Sequence, residues 1–115
     1  SAGSATDSVK YDIQNGAETM SQLLLIISSR ANVVTGIGSL GNGIATSAEQ
    51  ILFDCEVISL AKYLHKGICV DDTHLAFESI KRVGPGGNFL TDELPMKLLR
   101  SGEHFMKALL NDLVL

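Results

Sequence analysis

Glycine residues crowd the segment NVVTGIGSLGNGIATS at positions 32–47, directly after a short β-branched run. Within it, GIGSLG matches the G-x-G-x-x-G pattern of a turn that binds dinucleotide phosphates. Such a turn needs a helix that begins inside the motif, whereas the best helix start here, Ser47, lies six residues beyond Gly41. No Gly-Lys-Ser/Thr of a P-loop follows either. We therefore interpret the segment as a flexible strand-to-helix loop, the place where α/β barrels position ligand contacts.

Glu49 is the carboxylate best placed to meet a ligand at that loop, because it opens the helix predicted directly after the glycines. A capping box with Ser47 explains its neighbour Gln50 and leaves Glu49 free. The pairs Asp71–Asp72 and Asp92–Glu93 open other helices, where negative charge interacts favourably with the helix dipole. These patterns identify no catalytic residue.

Thiols and imidazoles are too scattered along the chain for a metal motif. None of the usual zinc spacings joins the candidate ligands, which are Cys55, His65, Cys69, His74 and His104. We therefore predict no metal site, and the mid-helix position of Cys55 predicts a buried thiol. Two cysteines give no disulfide framework, so we expect a reduced, cytoplasmic protein.

Hydrophobic periodicity predicts a mainly α-helical chain with one or two short strands. The helices are predicted over about 12–30, 47–66, 72–83, 91–100 and 102–113, and the clearest strand over about 32–35. In the first helix an apolar stripe contains Met20, Leu23, Leu24 and Ile27. Leu25 and Ile26 lie off this stripe, so they are predicted to face further partners.

Composition limits the classes of partner. A net charge of −4 and an aromatic content of 5% exclude a basic, ring-lined surface for nucleic acid. The longest apolar run, residues 23–27, is far shorter than the ~20 residues that cross a membrane. The length of 115 residues suits one domain over 1–115, yet 45% of the residues are hydrophobic. We therefore expect an apolar face that another element or molecule covers.

Four segments together resemble the trimethylamine methyltransferase family, which includes glycine betaine methyltransferases. TGIGSL at 35–40 resembles the end of the family's last barrel strand, and SAEQILFDCEVI at 47–58 resembles the helix that follows. VGPGGNFLT at 83–91 resembles a Gly-Pro-Gly-Gly-aromatic-Leu segment, and SATDSVKYDIQNG at 4–16 is similar to the start of the penultimate helix. The resemblance covers about residues 4–105.

The resemblance implies that the chain is the C-terminal quarter of a (β/α)₈ TIM barrel that binds a methylated amine at its mouth. It also implies methyl transfer to the Co(I) of a corrinoid carried on a separate protein, so this chain would bind no cofactor itself. Gly36, Ile37 and Gly38 would then line the mouth, and Glu49 would offset the charge of a trimethylammonium group. An aromatic cage for that cation would come from elsewhere in the barrel. The chain alone is expected to be inactive.

A second interpretation comes from the apolar composition alone. The chain would then be a free-standing helical module for interaction or oligomerisation, without catalysis. Excess apolar helix faces would close a symmetric dimer or cover a partner. A homo-oligomer is therefore expected.

Overall fold

The computed structural model describes residues 2–105, which form two compact units, residues 2–66 and residues 67–105. The sequence predicts one domain over 1–115, whereas the described chain divides near Gly67. Mainly helical structure is confirmed. None of the helices within residues 2–105 is long and apolar enough to cross a membrane.

A strand–helix–strand repeat opens the first unit. Strand β1 (Ala2–Gly3) pairs in parallel with β2 (Val34–Thr35), and helix α1 (Ile13–Ser28) connects them. Parallel strands need such a crossover because a tight turn cannot join them. The side chain of Asp12 accepts a hydrogen bond from the Asn15 N–H and so caps α1, as a helix start requires.

The glycine-rich segment folds into a short hairpin that the sequence does not predict. Strands β3 (Ser39–Leu40) and β4 (Ala45–Thr46) pair antiparallel, with Leu40 opposite Ala45. The chain reverses direction through left-handed residues, with φ of 57° at Gly41 and 54° at Asn42. The described residues therefore contain two sheets of two strands each, rather than the one or two strands expected.

Helices α1 and α2 (Ala48–His65) pack together to form the apolar core of the first unit. Leu23, Ile26 and Val57 are buried there. Ile26, predicted to lie off the buried stripe, is in this core, whereas Leu25 is 71% exposed. The buried face of α1 also includes the polar residues Asn15 and Thr19. A pattern of apolar residues alone therefore does not identify which face of this helix is buried.

Helix α2 buries a mixed face. Its buried residues are Gln50, Asp54, Glu56, Val57 and Ala61. The apolar residues Ile51 and Leu52 in its first half are exposed. Cys55 is exposed as well, so the prediction of a buried thiol is wrong.

The second unit consists of short helices: α3 (Asp72–Leu75), α4 (Phe77–Val83), a 3₁₀ turn (Phe89–Thr91) and α5 (Glu93–Arg100). The single helix predicted over 72–83 is interrupted at Ala76, which has the left-handed φ of 54°. Asp92 caps α5, so this helix begins at Glu93 rather than at about residue 91. Residues 102–105 are not helical, and the rest of the helix predicted over 102–113 lies outside the described residues.

Candidate functional site

Two loops meet at the carboxyl ends of β1 and β2. The Gly41 N–H donates to the Ser8 carbonyl at 2.9 Å, and the Asn42 N–H donates to the Thr6 carbonyl at 2.7 Å. Each loop leads from a strand into a helix. In parallel sheets of α/β proteins, ligands bind at this carboxyl edge because the loops there converge. The edge is therefore the first place to look for a functional site.

Gly36 and Gly38 are both needed for the packing of the chain on itself. A Cβ on Gly36 would lie 2.2 Å from the Ser4 carbonyl oxygen, and a Cβ on Gly38 would lie 2.3 Å from Ile51 Cγ1. Both residues have positive φ, 80° and 84°. Ile37, between them, is half-buried. These contacts explain the glycines structurally, and substrate contact at Gly36, Ile37 and Gly38 stays a prediction.

A buried polar network holds the glycine loop against both helices. The Gly38 N–H donates to Asp54 Oδ2 at 2.7 Å, and Gln50 Nε2 donates to Asp54 Oδ1 at 2.7 Å. Gln50 Nε2 also donates to Asn15 Oδ1 at 3.1 Å, and Asn15 Nδ2 returns a bond to Gln50 Oε1 at 2.9 Å. Gln50 is 0% exposed and Asp54 only 3%. The network therefore links the loop, α1 and α2 in the interior.

The electrostatics of Asp54 reflect two opposing effects. Burial raises the pKa of its carboxyl, while the bonds from the Gly38 N–H and the Gln50 side chain act in the opposite direction. No cation of the described residues forms a salt bridge with Asp54. Its charge is therefore held by hydrogen bonds alone, which makes the positions of both donors matter.

The sequence did not predict this network, because a capping box with Ser47 already accounted for Gln50. The Ser47 hydroxyl does accept a bond from the Gln50 backbone N–H, at 3.4 Å, as a cap should. The Gln50 side chain, however, turns inward. The available signal was the four-residue spacing of Gln50 and Asp54, which places both on one helix face with Val57 and Ala61.

Glu49 forms an exposed cluster with Tyr11 and Ser47 at the start of α2. Glu49 Oε2 accepts a hydrogen bond from Ser47 Oγ at 2.6 Å and one from the Tyr11 hydroxyl at 3.5 Å. Because Ser47 Oγ donates its one proton to Glu49, the Tyr11 hydroxyl is the donor toward Ser47 Oγ, and its longer contact with Glu49 Oε2 shares that same proton. The bond from Ser47 lowers the pKa of the Glu49 carboxyl. Glu49 is thus ionised at neutral pH and hydrogen-bonded, rather than free as predicted.

The same cluster places an aromatic ring beside a carboxylate. Tyr11 is 63% exposed. An aromatic face together with a negative charge is the combination that attracts quaternary ammonium groups. Sequence reasoning placed every aromatic group of such a site elsewhere, because Tyr11 lies before α1 and Glu49 lies in α2. Only the fold brings them together.

The remaining candidate residues either cap helices or lie in a cluster of possible metal ligands. Asp71 accepts from the His74 N–H and Asp92 from the Leu94 N–H, so both cap helices as predicted. Of the thiol and imidazole groups, the structure brings Cys69 and His74 together, with Asp71 between them.

Comparison with known proteins identifies the family. The profile described as "Trimethylamine methyltransferase (MTTB)" matches residues 1–113. The chain therefore belongs to the trimethylamine methyltransferase family, and the resemblance seen in the sequence is confirmed.

Curated relatives show how much of such a protein this chain covers. It is 43% identical over 89 residues to trimethylamine methyltransferase MttB of Methanosarcina barkeri (strain Fusaro), covering 77% of this chain and 18% of the relative. It is 35% identical over 94 residues to glycine betaine methyltransferase of Desulfitobacterium hafniense (strain Y51), covering 81% and 20% respectively. The chain thus spans about a fifth of the length of these relatives.

Substitution of Gly38 by Ala should destabilise the first unit more than the same change at Gly43. Both positions have positive φ, 84° and 87°, so each change costs about 1–2 kcal/mol of backbone strain. Only at position 38 does the new methyl group also overlap Ile51, since nothing lies within 4 Å of a Cβ on Gly43. Overpacking adds about 1–3 kcal/mol to the loss in the free energy of unfolding, measured with denaturant. Equal losses for the two variants would contradict this packing.

The loss in the free energy of unfolding caused by Asp54→Asn should depend on pH. Because the pKa of Asp54 is raised above 3.8 in the folded chain, protonation favours folding. This stabilisation is lost as pH rises through the folded-state pKa, and Asn has no such dependence. Chemical denaturation should therefore show a larger cost at about pH 3 than at about pH 7.

Glu49→Gln is the control, because its effect on the free energy of unfolding should change with pH in the opposite direction. Because the pKa of Glu49 is lowered, its contribution to stability is lost as pH falls, so the cost of this change should grow with pH. If Asp54→Asn also cost more at neutral pH, the two hydrogen bonds to the ionised carboxylate would outweigh its burial.

Proposed function

We propose that this chain is part of a methyltransferase that moves a methyl group from a methylated amine, of the trimethylamine or glycine betaine type, to the Co(I) of a corrinoid on a separate protein. Membership of the family supports this, as do the activities named for its relatives. The observation that carries it is the cluster of Tyr11 and Glu49 at the carboxyl edge of β1 and β2.

The proposal includes a TIM barrel. The order β1, α1, β2, α2 with parallel strands is the repeating unit from which such a barrel is built. Eight such units close a barrel, and this chain supplies two. The other units would come from the remainder of an intact enzyme, consistent with the fifth of the relatives' length that the chain spans. The substrate would lie at the mouth, near Gly36, Ile37 and Gly38.

The charge of Glu49 fits a role in binding a cationic amine rather than in breaking its C–N bond. A corrinoid on the partner protein would supply the electron pair for the new bond to the methyl group. The C–N bonding pair stays on nitrogen, so a quaternary ammonium leaves as a neutral amine. An ionised carboxylate therefore attracts the substrate more than the product. Such an interaction lowers KM and gives no help to kcat.

In the intact enzyme that this proposal implies, Glu49→Gln should raise KM for the methylated amine about tenfold. The amide keeps an acceptor for Ser47, so the change removes charge and little else. The kcat should not fall, because the carboxylate favours the ground state. Methyl transfer to the corrinoid protein would be followed by the absorbance of the cobalt centre.

Two controls separate charge recognition from damage to the fold. Glu93→Gln removes a carboxylate from the equivalent first turn of α5 and should leave KM unchanged. A neutral tert-butyl analogue of the substrate should inhibit wild type and Glu49→Gln equally, because it lacks the positive charge. An equal loss of affinity for the charged and the neutral compound would overturn the role given to Glu49.

Exposed apolar side chains favour a second property, self-association of the chain. Large hydrophobic residues on the surface of the described chain include Ile13 (91% exposed), Ile44 (89%) and Ile68 (92%). Apolar side chains left exposed to this extent favour covering by another element or by a second copy of the chain. We propose a homo-oligomer on this ground.

Light scattering on the purified 115-residue chain should give a mass of at least twice the 12.3 kDa of one chain. The same sample should not transfer methyl groups to a corrinoid protein, since most of a barrel is missing. A monomer with cooperative thermal unfolding would contradict the oligomer. Methyl transfer by the chain alone would contradict its role as one part of the catalytic unit.

A further inference from the structure

The second unit contains a cluster of metal-ligating side chains that the methyltransferase proposal does not use. Ligand atoms of Cys69, Asp71 and His74 all lie within 4.8 Å of one another. Cys69 Sγ lies 3.5 Å from Asp71 Oδ2. His74 Nδ1 lies 2.7 Å from Asp71 Oδ1. It is the only group of this kind within residues 2–105.

One pair of these atoms already has the spacing that a tetrahedral ion requires, and the third ligand lies close by. Zinc bonds of about 2.3 Å to sulfur and about 2.0–2.2 Å to nitrogen or oxygen place neighbouring ligands roughly 3.5 Å apart. The separation of Cys69 Sγ and Asp71 Oδ2, 3.5 Å, matches this value. Asp71 Oδ1 is engaged by the His74 backbone N–H at 2.8 Å, which leaves Oδ2 as the ligand oxygen. Bringing His74 Nδ1 to the same ion moves only side chains at or near the surface.

Glu103 completes the arrangement from a distant part of the sequence. Its Oε2 lies 2.6 Å from His74 Nε2. Histidine residues that bind a metal through one ring nitrogen characteristically donate the other N–H to a carboxylate, which fixes the ring and raises its basicity. Glu103 is in the position of that carboxylate, while His74 Nδ1 faces Asp71.

The second unit also has a physical need for such a link. Every buried hydrophobic residue of the described chain, Leu23, Ile26, Leu40, Val57 and Ala61, lies in the first unit. The buried residues of the second unit are polar, Ser79 and Asp92. Units of about 40 residues without a substantial apolar core usually depend on a metal, a disulfide or a partner.

We propose that Cys69, Asp71 and His74 bind one zinc-class divalent ion, with Glu103 orienting His74. Cys69 binds as the thiolate and releases its proton to solvent, so binding strengthens as pH rises. The ion ties the segment before α3 to α3 itself, and through His74 to Glu103 beyond α5. This inference is independent of the methyltransferase proposal, because it involves none of the residues at the carboxyl edge of the strands.

Calorimetric titration of the reduced, metal-free 115-residue chain with Zn²⁺ should show one ion bound per chain. Glu103→Gln should weaken binding about 10–100-fold, as loss of a carboxylate behind a ligating histidine does. Cys69→Ser should weaken it at least as much. Two matched variants should retain wild-type affinity: Cys55→Ser, which removes the other exposed thiol, and Glu93→Gln.

Cobalt(II) provides a test of the thiolate ligand itself. The Co²⁺-loaded chain should show a thiolate-to-metal charge-transfer band that is present in Cys55→Ser and absent in Cys69→Ser. No saturable zinc binding, a band that survives Cys69→Ser, or equal effects of the two cysteine changes would overturn the site.

A measurement on the unaltered chain covers the case in which a variant does not fold. Zinc should slow the alkylation of Cys69 but not of Cys55, with each modification located by mass spectrometry. Equal protection of the two thiols, or none, would overturn the proposal.

Discussion

The bond from the Gly38 N–H to the buried carboxylate of Asp54 is the contact on which the organisation of the first unit depends. It closes the glycine loop onto α2, and Gln50 extends the link to Asn15 on α1. Every member needs the others, because an unpaired amide or carboxylate in the interior costs the full free energy of its desolvation. A close approach of Gly38 to Ile51 is part of the same contact, which is why no side chain fits at that position.

Because the glycine loop is held in place, the residues that follow it are held in place as well. Ser47 and Glu49 follow the loop directly, and the two loops at the carboxyl edge are bonded to each other, so Tyr11 is carried to the same place. A rigid interior of hydrogen bonds thereby supports an exposed pair of aromatic ring and carboxylate. Such division suits a binding site, since the groups that touch a ligand face solvent while those that hold them do not.

Each of the two units is stabilised internally by a different kind of interaction. Helices α1 and α2 bury an apolar core around Leu23 beside their polar network. In the second unit the links are polar: Arg82 and Ser79 both contact Asp92, which also caps α5, and His74 joins Asp71 to Glu103. The pairs of His74 with Asp71 and Glu103 lie near the surface, where ion pairs stabilise weakly. The second unit therefore depends more than the first on what binds or covers it.

The segments TGIGSL, SAEQILFDCEVI and VGPGGNFLT are enough to indicate the family. Caps and apolar spacing predict helices α1, α2 and α5 to within a few residues, because both are local signals. The sequence by itself also singled out Glu49. It did not determine the hairpin at Ser39–Thr46, the break at Ala76 or the inward turn of Gln50. Tertiary structure decided these, and it alone brought Tyr11 to Glu49 and Glu103 to His74. The physical reason is that a polar side chain chooses its partner by proximity in space, and residues 38 or 29 positions apart share no local pattern.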